Sequence, residues 1–160
     1  MGALRRTGKR AIFVTGFGGL RAEALPENIL KVATCPYDWL LKRASAVVHQ
    51  GGSGATSAGV RAGKPSLAVP FGWDQPLWGH RLHELGVGAE PIPAERLTVD
   101  RLVGALEQLT DDESMRTEAQ RLGDLVRRED GVGRAVERIR QLLSGEASGS
   151  RQDRRADGAV

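Results

Sequence analysis

Residues 49–57 read HQGGSGATS and join two segments of different character. Before them, residues 46–48 form a short apolar run with two adjacent valines, which is typical of a buried parallel strand. After them, residues 58–62 are small and compatible with a helix, which Gly63 and Pro65 bring to an end. The glycines therefore lie where a strand turns into a helix, and this pattern predicts an α/β fold.

The strand-to-helix turn has the chemistry of an anion-binding site. Glycine lets the backbone turn tightly and lets a ligand approach it closely. The free N–H groups at the start of a helix favour an anion, above all a phosphate. Ser53, Thr56 and Ser57 add hydroxyl groups, and His49 adds an imidazole at the end of the strand. We interpret the turn as a binding site for a diphosphate.

A plain Gly/Ser-rich connection between a strand and a helix is the alternative interpretation of this turn. Two better-known phosphate motifs do not match it. The dinucleotide fingerprint G-x-G-x-x-G fails because Ser57 stands where its third glycine belongs. The P-loop pattern fails because Gly63 and Lys64 are followed by Pro65.

The composition narrows the classes of function. The chain has 160 residues, 40% of them hydrophobic, which is enough for one domain with a core. A net charge of +3 and an aromatic content of 4% give no support for binding of nucleic acid. Cys35 is the only cysteine, so no intrachain disulfide forms and a cytoplasmic setting fits. No apolar run has the length of a membrane span, so we expect no stable membrane insertion.

Three further apolar runs predict strands, and each leads into a loop with candidate ligand-binding residues. The strands are at 11–15, 29–33 and 66–69, and the loops are at 16–19, 36–39 and 71–75. Because parallel strands of an α/β sheet end at one edge, these loops and the turn at 49–57 should lie together. Open α/β sheets bind their ligands at that edge.

Two of these loops carry side chains suited to a nucleotide sugar. Asp74 and Gln75 pair a carboxylate with a carboxamide, which together accept and donate to sugar hydroxyl groups. The alternative is that one of them caps the following helix. Trp39 is placed to stack on a nucleobase, and a place in the core is its alternative. Asp38 is predicted to cap a short helix.

His80 and His83 lie three residues apart in a predicted helix, a spacing that can bind a metal ion. No third ligand is apparent in the sequence, and a surface or core role is therefore favoured for both. We expect no metal site in this chain.

The second half of the chain predicts three amphipathic helices that pack on the sheet, the first capped by Thr98. Their apolar positions are Val99, Leu102, Val103, Leu106 and Leu109; Met115, Ala119, Leu122 and Val126; and Val132, Val136, Ile139 and Leu143. From residue 145 the chain is rich in Ser, Gly, Arg and Asp and has no periodicity. We predict one domain at 1–144 and a disordered tail at 145–160.

The motifs, taken together, resemble one family. In order they are G-F-G-G-L at 16–20, P-Y-D-W at 36–39, V-V-H-Q-G-G-S-G-A-T at 47–56, R-A-G-K-P at 61–65, V-P-F at 69–71, D-Q-P at 74–76 and E-L-G-V-G at 84–88. This order is similar to the donor half of nucleotide-sugar glycosyltransferases, especially the bacterial and fungal sterol glucosyltransferases and the macrolide and glycopeptide glycosyltransferases. The resemblance implies the C-terminal half of a GT-B fold, a Rossmann-like parallel sheet flanked by helices.

The resemblance also implies three groups of donor-binding residues. The diphosphate would be held by His49, Gly51, Gly52, Ser53, Gly54 and Thr56. The uracil or thymine base would lie beside Pro36, Tyr37 and Trp39. Hydroxyl groups of the transferred hexose would be held by Asp74 and Gln75. Three positions depart from the family, where Gln50, Phe17 and Tyr37 replace the usual His, Trp and His; the last of these bears on the contact with the base.

The implied reaction is transfer of a hexose, with inversion, from a UDP-sugar or dTDP-sugar to a hydroxyl of a lipid, sterol or macrolide-like acceptor. The catalytic base is expected on an acceptor domain that this sequence does not contain, so no catalytic residue is assigned here. No cofactor or metal is expected, because His49 and the helix N-terminus would stabilise the leaving diphosphate.

In the family the donor domain opens with a strand that has no counterpart ahead of residue 3, so we expect an N-terminally truncated chain. Because that strand lies centrally in a doubly wound sheet, its neighbours should keep unpaired backbone groups. We therefore expect self-association or a partner chain that carries the acceptor domain. A noncatalytic nucleotide-sugar-binding subunit and an inactive fragment are the alternatives to an enzyme.

Overall fold

The structure is a computed structural model that describes residues 1–16 and 25–144. The predicted tail at 145–160 and the predicted loop residues 17–19 lie outside the described residues. The elements are helix α1 (Gly2–Thr7), strands β1 (Ala11–Val14) and β2 (Ile29–Val32), helix α2 (Tyr37–Leu40), strand β3 (Val47–His49), helix α3 (Ser53–Arg61), strand β4 (Ser66–Ala68), and helices α4 (Gln75–Glu84), α5 (Val99–Asp111), α6 (Glu113–Arg128) and α7 (Gly131–Leu143). All four strands predicted from apolar runs are thus present; three are one residue shorter than predicted, and β3 is shifted by one residue.

The strands form two parallel pairs. β1 pairs with β2, with Ala11 opposite Ile29, and β3 pairs with β4, with Val47 opposite Ser66. Within residues 1–16 and 25–144, no ladder joins the two pairs. The parallel arrangement is confirmed, and among the described residues β1 pairs only with β2 and β3 only with β4.

The core is built around β4, which is buried along its whole length. Leu67 of β4 and Leu109 of α5 are both 0% exposed. They belong to one cluster with five other buried apolar residues, which are Val69, Ala89, Ile92, Ala105 and Met115. The apolar faces predicted for α5 and α6 therefore contribute to the core, which supports β4 directly beneath the loop at 71–75.

The described part of the chain divides into two units, one up to residue 126 and one from residue 127. In the second unit, α7 has a regular apolar face, as predicted, but that face is not buried. Val132 is 78% exposed and Leu143 is 83% exposed. Periodicity shows that a face is apolar and not what covers it, so the packing of this helix on the sheet stays a prediction.

Helix starts follow the predictions in one case and depart from them in another. The Thr98 side chain accepts the backbone N–H of Arg101 and caps α5, as predicted. The short helix α2 is preceded by Pro36, and Asp38 lies inside its first turn without capping it. The fixed φ of proline suits the residue at which a helix begins, and a carboxylate in the first turn still stabilises the helix dipole.

Candidate functional site

The turn between β3 and α3 leaves the start of the helix open. Gly52 precedes α3, and no side chain caps the helix. The first backbone bond of the helix runs from the N–H of Thr56 to the carbonyl of Gly52, at 3.0 Å. The N–H groups of residues 53–55 have no partner within the helix. Because Ser53 and Gly54 are exposed, these donors are available to a ligand at the positive end of the helix dipole.

His49 ends β3 and lies beside this turn. Its Nδ1 accepts the backbone N–H of Gly51 at 2.9 Å, so the neutral ring carries its proton on Nε2. Nε2 is buried and finds no hydrogen-bond partner in the described part of the chain. Burial lowers the pKa of His49 below its ordinary value of 6.5, because the charged ring would lose hydration. His49 is therefore a neutral donor without an acceptor.

Thr56 is the second buried polar group of this turn that lacks a partner. The residue is 6% exposed, and its Oγ1 has no hydrogen-bond partner among residues 1–16 and 25–144. An unpaired buried hydroxyl costs about 1–3 kcal/mol. In a plain strand-to-helix connection nothing offsets that cost. In a ligand-binding turn the ligand offsets it, because it supplies the missing hydrogen-bond partner.

The loop after β4 holds Asp74 and Gln75 in fixed positions. The indole N–H of Trp78 donates to Oδ2 of Asp74 at 2.9 Å, and the backbone N–H of Phe71 donates to Oε1 of Gln75 at 2.8 Å. Neither side chain caps α4, so the capping alternative is wrong. Within residues 1–16 and 25–144, the hydrogen bonds of these two side chains involve neither Oδ1 of Asp74 nor the amide N–H groups of Gln75. The sequence offered one signal for the Trp78 contact, its spacing of four residues from Asp74.

Trp73, in the same loop, has an unusual backbone. It is the one non-glycine residue of the described chain with a positive φ, 63°, and it is 99% exposed. Such a conformation costs on the order of 1–3 kcal/mol, and it persists only where the surrounding structure holds it. Here the hydrogen bonds of Asp74 and Gln75 hold both sides of the loop.

The structure brings this loop into contact with the turn at 49–57. The backbone N–H of Val69 donates to the carbonyl of His49 at 2.8 Å, which ties the ends of β3 and β4 together. Gly51 packs against Gln75 so closely that a Cβ on Gly51 would lie 2.7 Å from the Gln75 carbonyl oxygen. The predicted diphosphate-binding turn and the predicted hexose-binding loop are therefore in direct contact through Gly51 and Gln75.

Pro36, Tyr37 and Trp39 lie at the end of β2. Tyr37 is 47% exposed and Trp39 is 52% exposed, so the alternative that Trp39 is a core residue is wrong. The guanidinium of Arg43 covers one face of the Trp39 ring at 4.2 Å and donates to the Trp39 carbonyl at 3.0 Å. In the described ranges, no hydrogen bond connects this segment to the turn at 49–57. The only sequence signal for the Arg43 contact is its spacing of four residues from Trp39.

The two histidines of α4 are both exposed. His83 Nδ1 lies 3.2 Å from the carbonyl oxygen of Gly88, within hydrogen-bond distance. Among residues 1–16 and 25–144, no group of three or more His, Cys, Asp or Glu side chains is placed to hold a metal ion. Across the same residues, no helix combines the length and the apolar character that a membrane crossing requires.

We expect acid to destabilise the chain through His49. Between its lowered pKa in the folded state and 6.5, the unfolded chain binds more protons, so the free energy of unfolding falls as the pH drops through this range. The stabilisation is complete above pH 6.5. Urea unfolding of the wild type and of His49→Gln, at about pH 7.5 and about pH 5, measures the effect. The wild type should lose stability relative to the variant in acid, and a constant difference between the two would contradict this expectation.

Comparisons with known proteins identify the family of the chain. Residues 17–130 match the family described as "Erythromycin biosynthesis protein CIII-like, C-terminal domain". The chain is 40% identical over 142 residues to a sterol 3-beta-glucosyltransferase (UGT80B1) of Arabidopsis thaliana, covering 88% of this chain and 23% of that protein. It is 39% identical over 133 residues to the O-mycaminosyltylonolide 6-deoxyallosyltransferase of Streptomyces fradiae, covering 83% of this chain and 31% of that one.

Solved structures give the same result for the fold. The glycosyltransferase VinC, whose crystal structure contains dTDP, superposes with a TM-score of 0.70 at 27% identity. The match covers 77% of this chain and 31% of VinC. The chain thus spans less than a third of each of these three proteins. The predicted fold, a Rossmann-like α/β arrangement similar to the C-terminal half of GT-B glycosyltransferases, is confirmed, and the chain belongs to the family of erythromycin biosynthesis protein CIII-like C-terminal domains.

Proposed function

We propose that this chain binds the nucleotide-sugar donor of a glycosyltransferase. The observation that carries the proposal is the pair of buried, unpartnered polar atoms, His49 Nε2 and Thr56 Oγ1, at the uncapped start of α3. Buried polar groups in folded proteins nearly always have partners. A diphosphate supplies acceptor oxygens for the His49 N–H, for the Thr56 hydroxyl and for the free N–H groups of the first turn.

In this proposal the diphosphate is bound by neutral donors and a helix dipole, with no metal ion. His49, the backbone from Gly51 to Gly54 with the Ser53 hydroxyl, and Thr56 surround the phosphate oxygens. As the sugar leaves, negative charge grows on those oxygens, and fixed donors stabilise it without having to reorganise. Because Nε2 and Oγ1 lie below the surface of the unliganded chain, the groups that cover them must separate when the ligand enters.

In this proposal the other two loops bind the remaining parts of the donor, the hexose and the pyrimidine base. The hexose lies against Asp74 and Gln75, whose free oxygen and amide N–H groups accept from and donate to its hydroxyl groups. The pyrimidine base lies beside Pro36 and Tyr37 and stacks on the face of Trp39 that Arg43 leaves open. Stacking on an aromatic side chain accepts either uracil or thymine, since both present a flat π face.

The proposed reaction is inverting transfer of a hexose from a UDP-sugar or dTDP-sugar to a hydroxyl of a lipid, sterol or macrolide-like acceptor. This class of acceptor is supported by the names of two relatives, of which one is a sterol glucosyltransferase and the other a macrolide glycosyltransferase. The attacking hydroxyl and its base must come within bonding reach of the anomeric carbon. They are supplied by an acceptor domain, in this polypeptide or in a partner chain.

Among residues 1–16 and 25–144, β1 and β3 each pair along one edge only, which favours a chain that works in contact with further polypeptide. Ile12 of β1 is 47% exposed and Val48 of β3 is 46% exposed. An exposed strand edge with apolar side chains promotes pairing with another chain. Self-association or a separate acceptor-domain chain is therefore part of the proposal, and sedimentation of the purified chain with and without UDP measures it.

The proposal is tested by calorimetric titration of the chain with UDP, dTDP and UDP-glucose. Binding of a nucleoside diphosphate with a 1:1 stoichiometry is the expected result. Absence of binding to all three, by a chain that circular dichroism shows to be folded, would exclude donor binding.

Replacing Asp74 by alanine should separate the hexose contact from the rest of the site. We expect UDP-glucose to bind about tenfold more weakly, since a hydrogen bond to a charged group contributes about 1.5–3 kcal/mol, whereas UDP should bind as before. Titration of both ligands gives the comparison. Trp78→Phe removes the indole donor at 2.9 Å and keeps the carboxylate, so it measures how much of the loss comes from the positioning of Asp74. If UDP and UDP-glucose weaken equally in Asp74→Ala, then Asp74 only supports the loop.

A further inference from the structure

We infer that Gly51 is a positioning residue, which fixes the His49 ring as an Nε2–H donor and joins the diphosphate-binding turn to the loop of Asp74 and Gln75. The inference rests on the proposed function for the identity of the ligand. The orientation of the His49 ring and the contact between the two loops are properties of the chain without ligand, and they are tested on that chain.

The first observation is the hydrogen bond between Gly51 and His49. The backbone N–H of Gly51 donates to Nδ1 at 2.9 Å, and Nε2 is left as the ring's second nitrogen. A neutral imidazole has one protonated nitrogen, so an N–H donor at Nδ1 places the proton on Nε2. This bond also sets the plane of the ring. The Gly51 N–H therefore orients His49 within the protein, and the Nε2–H of His49 remains available to the ligand.

The second observation is the close approach of Gly51 to Gln75. Gly51 is buried and has φ 92°, a conformation that side chains with a Cβ rarely adopt. A Cβ on Gly51 would lie 2.7 Å from the Gln75 carbonyl oxygen and 3.3 Å from the Gln75 carbonyl carbon. These are backbone atoms at the start of α4, which cannot rotate away as the end of a long side chain can.

These two observations give one consequence for the site. Any side chain at Gly51 must push the turn and the start of α4 apart. The Gly51 N–H then leaves Nδ1 of His49, and Gln75 moves together with the Phe71 N–H that its Oε1 accepts at 2.8 Å. One methyl group should therefore disturb the diphosphate side and the hexose side together, although Gly51 donates to neither ligand group.

Another glycine provides the matched control. Gly8 also has a positive φ, 65°, and a Cβ added there would meet nothing within 4 Å. It ends α1, where its backbone N–H donates to the carbonyl of Leu4. Gly8→Ala therefore introduces a similar backbone strain without the steric clash, so that it isolates the effect of the close approach.

The test is ¹⁵N NMR of the full chain without ligand, above pH 6.5, where His49 is neutral. The resonances of His49 are assigned with His49→Gln, because the chain has three histidines. In the wild type we expect one tautomer, protonated at Nε2, and a scalar coupling across the hydrogen bond between the Gly51 nitrogen and Nδ1. Gly51→Ala should lose the coupling and populate the Nδ1–H tautomer, whereas Gly8→Ala should match the wild type.

Titrations with UDP and UDP-glucose complete the experiment. Gly51→Ala should bind both at least about tenfold more weakly, the loss expected when a strong hydrogen bond is misdirected, and Gly8→Ala should bind both normally. A wild type without the coupling, or with a mixture of tautomers, overturns the inference even if Gly51→Ala does not fold. A Gly51→Ala variant that keeps the single Nε2–H tautomer also overturns it. If the tautomer changes as expected while the wild type binds neither ligand, the ring is positioned as inferred and the proposed function is what fails.

Discussion

Replacing His49 by alanine is expected to weaken the binding of UDP by at least about tenfold, because a charge-assisted hydrogen bond contributes about 1.5–3 kcal/mol. The expectation follows from the burial and the hydrogen bonding of the His49 ring. Its Nε2–H is buried without a partner in the described residues, so a phosphate oxygen that reaches it gains a hydrogen bond and replaces no existing one. Alanine removes this donor and also leaves the Gly51 N–H without its acceptor. Calorimetric titration of both forms with UDP gives the ratio of the dissociation constants.

His80→Ala is the control for this measurement. His80 is exposed on α4, so its removal tests whether the loss of any imidazole alters the affinity. We expect the control to bind UDP as the wild type does. Equal affinities of the wild type and His49→Ala would remove His49 from the site and would leave the helix N-terminus as the remaining anion site.

Replacing Leu109 by alanine is expected to lower the free energy of unfolding by about 2–5 kcal/mol, the range for a fully buried leucine. Leu109 is 0% exposed and packs in the cluster that contains Leu67 of β4. The cluster is already tightly packed around β4, so a cavity should remain. For a domain of this size such a loss is a large part of the total stability. Urea unfolding followed by circular dichroism measures it.

Leu125→Ala is the control for the core. Leu125 is 46% exposed on α6, so the same deletion should cost much less, since part of its surface is already in water. If both variants lose the same free energy, the cluster around β4 is not the core of the chain. If Leu109→Ala also weakens UDP binding while still folded, the support under the loop at 71–75 contributes to the site.

The sequence predicts the elements that depend on local patterns. The apolar runs give the four strands, Thr98 gives the start of α5, and the turn at 49–57 gives the start of α3. Each of these rests on residues within a few positions of one another, where turn geometry and periodicity act directly. The parallel arrangement follows from the alternation of strands and helices.

The features that the sequence does not predict depend on contacts between distant segments. Nothing local indicates that Gly51 must pack against the carbonyl of Gln75, since the contact joins two loops through the backbone. The sequence leaves two alternatives for Trp39, stacking on a nucleobase or a place in the core, because the burial of a side chain depends on residues of other elements. Likewise, the exposed apolar face of α7 could not be foreseen, as amphipathicity leaves the covering surface unspecified.

The pairing of strands also has a consequence for how the chain folds. β1 pairs with β2, and β3 pairs with β4, so both ladders of the described residues join strands that are consecutive in the sequence. The entropy of closing a loop grows with its length, and a fold made of short-range pairings closes only short loops before contacts form. Each pair can therefore nucleate by itself, and the chain has two starting points for folding, neither of which requires the other to have formed.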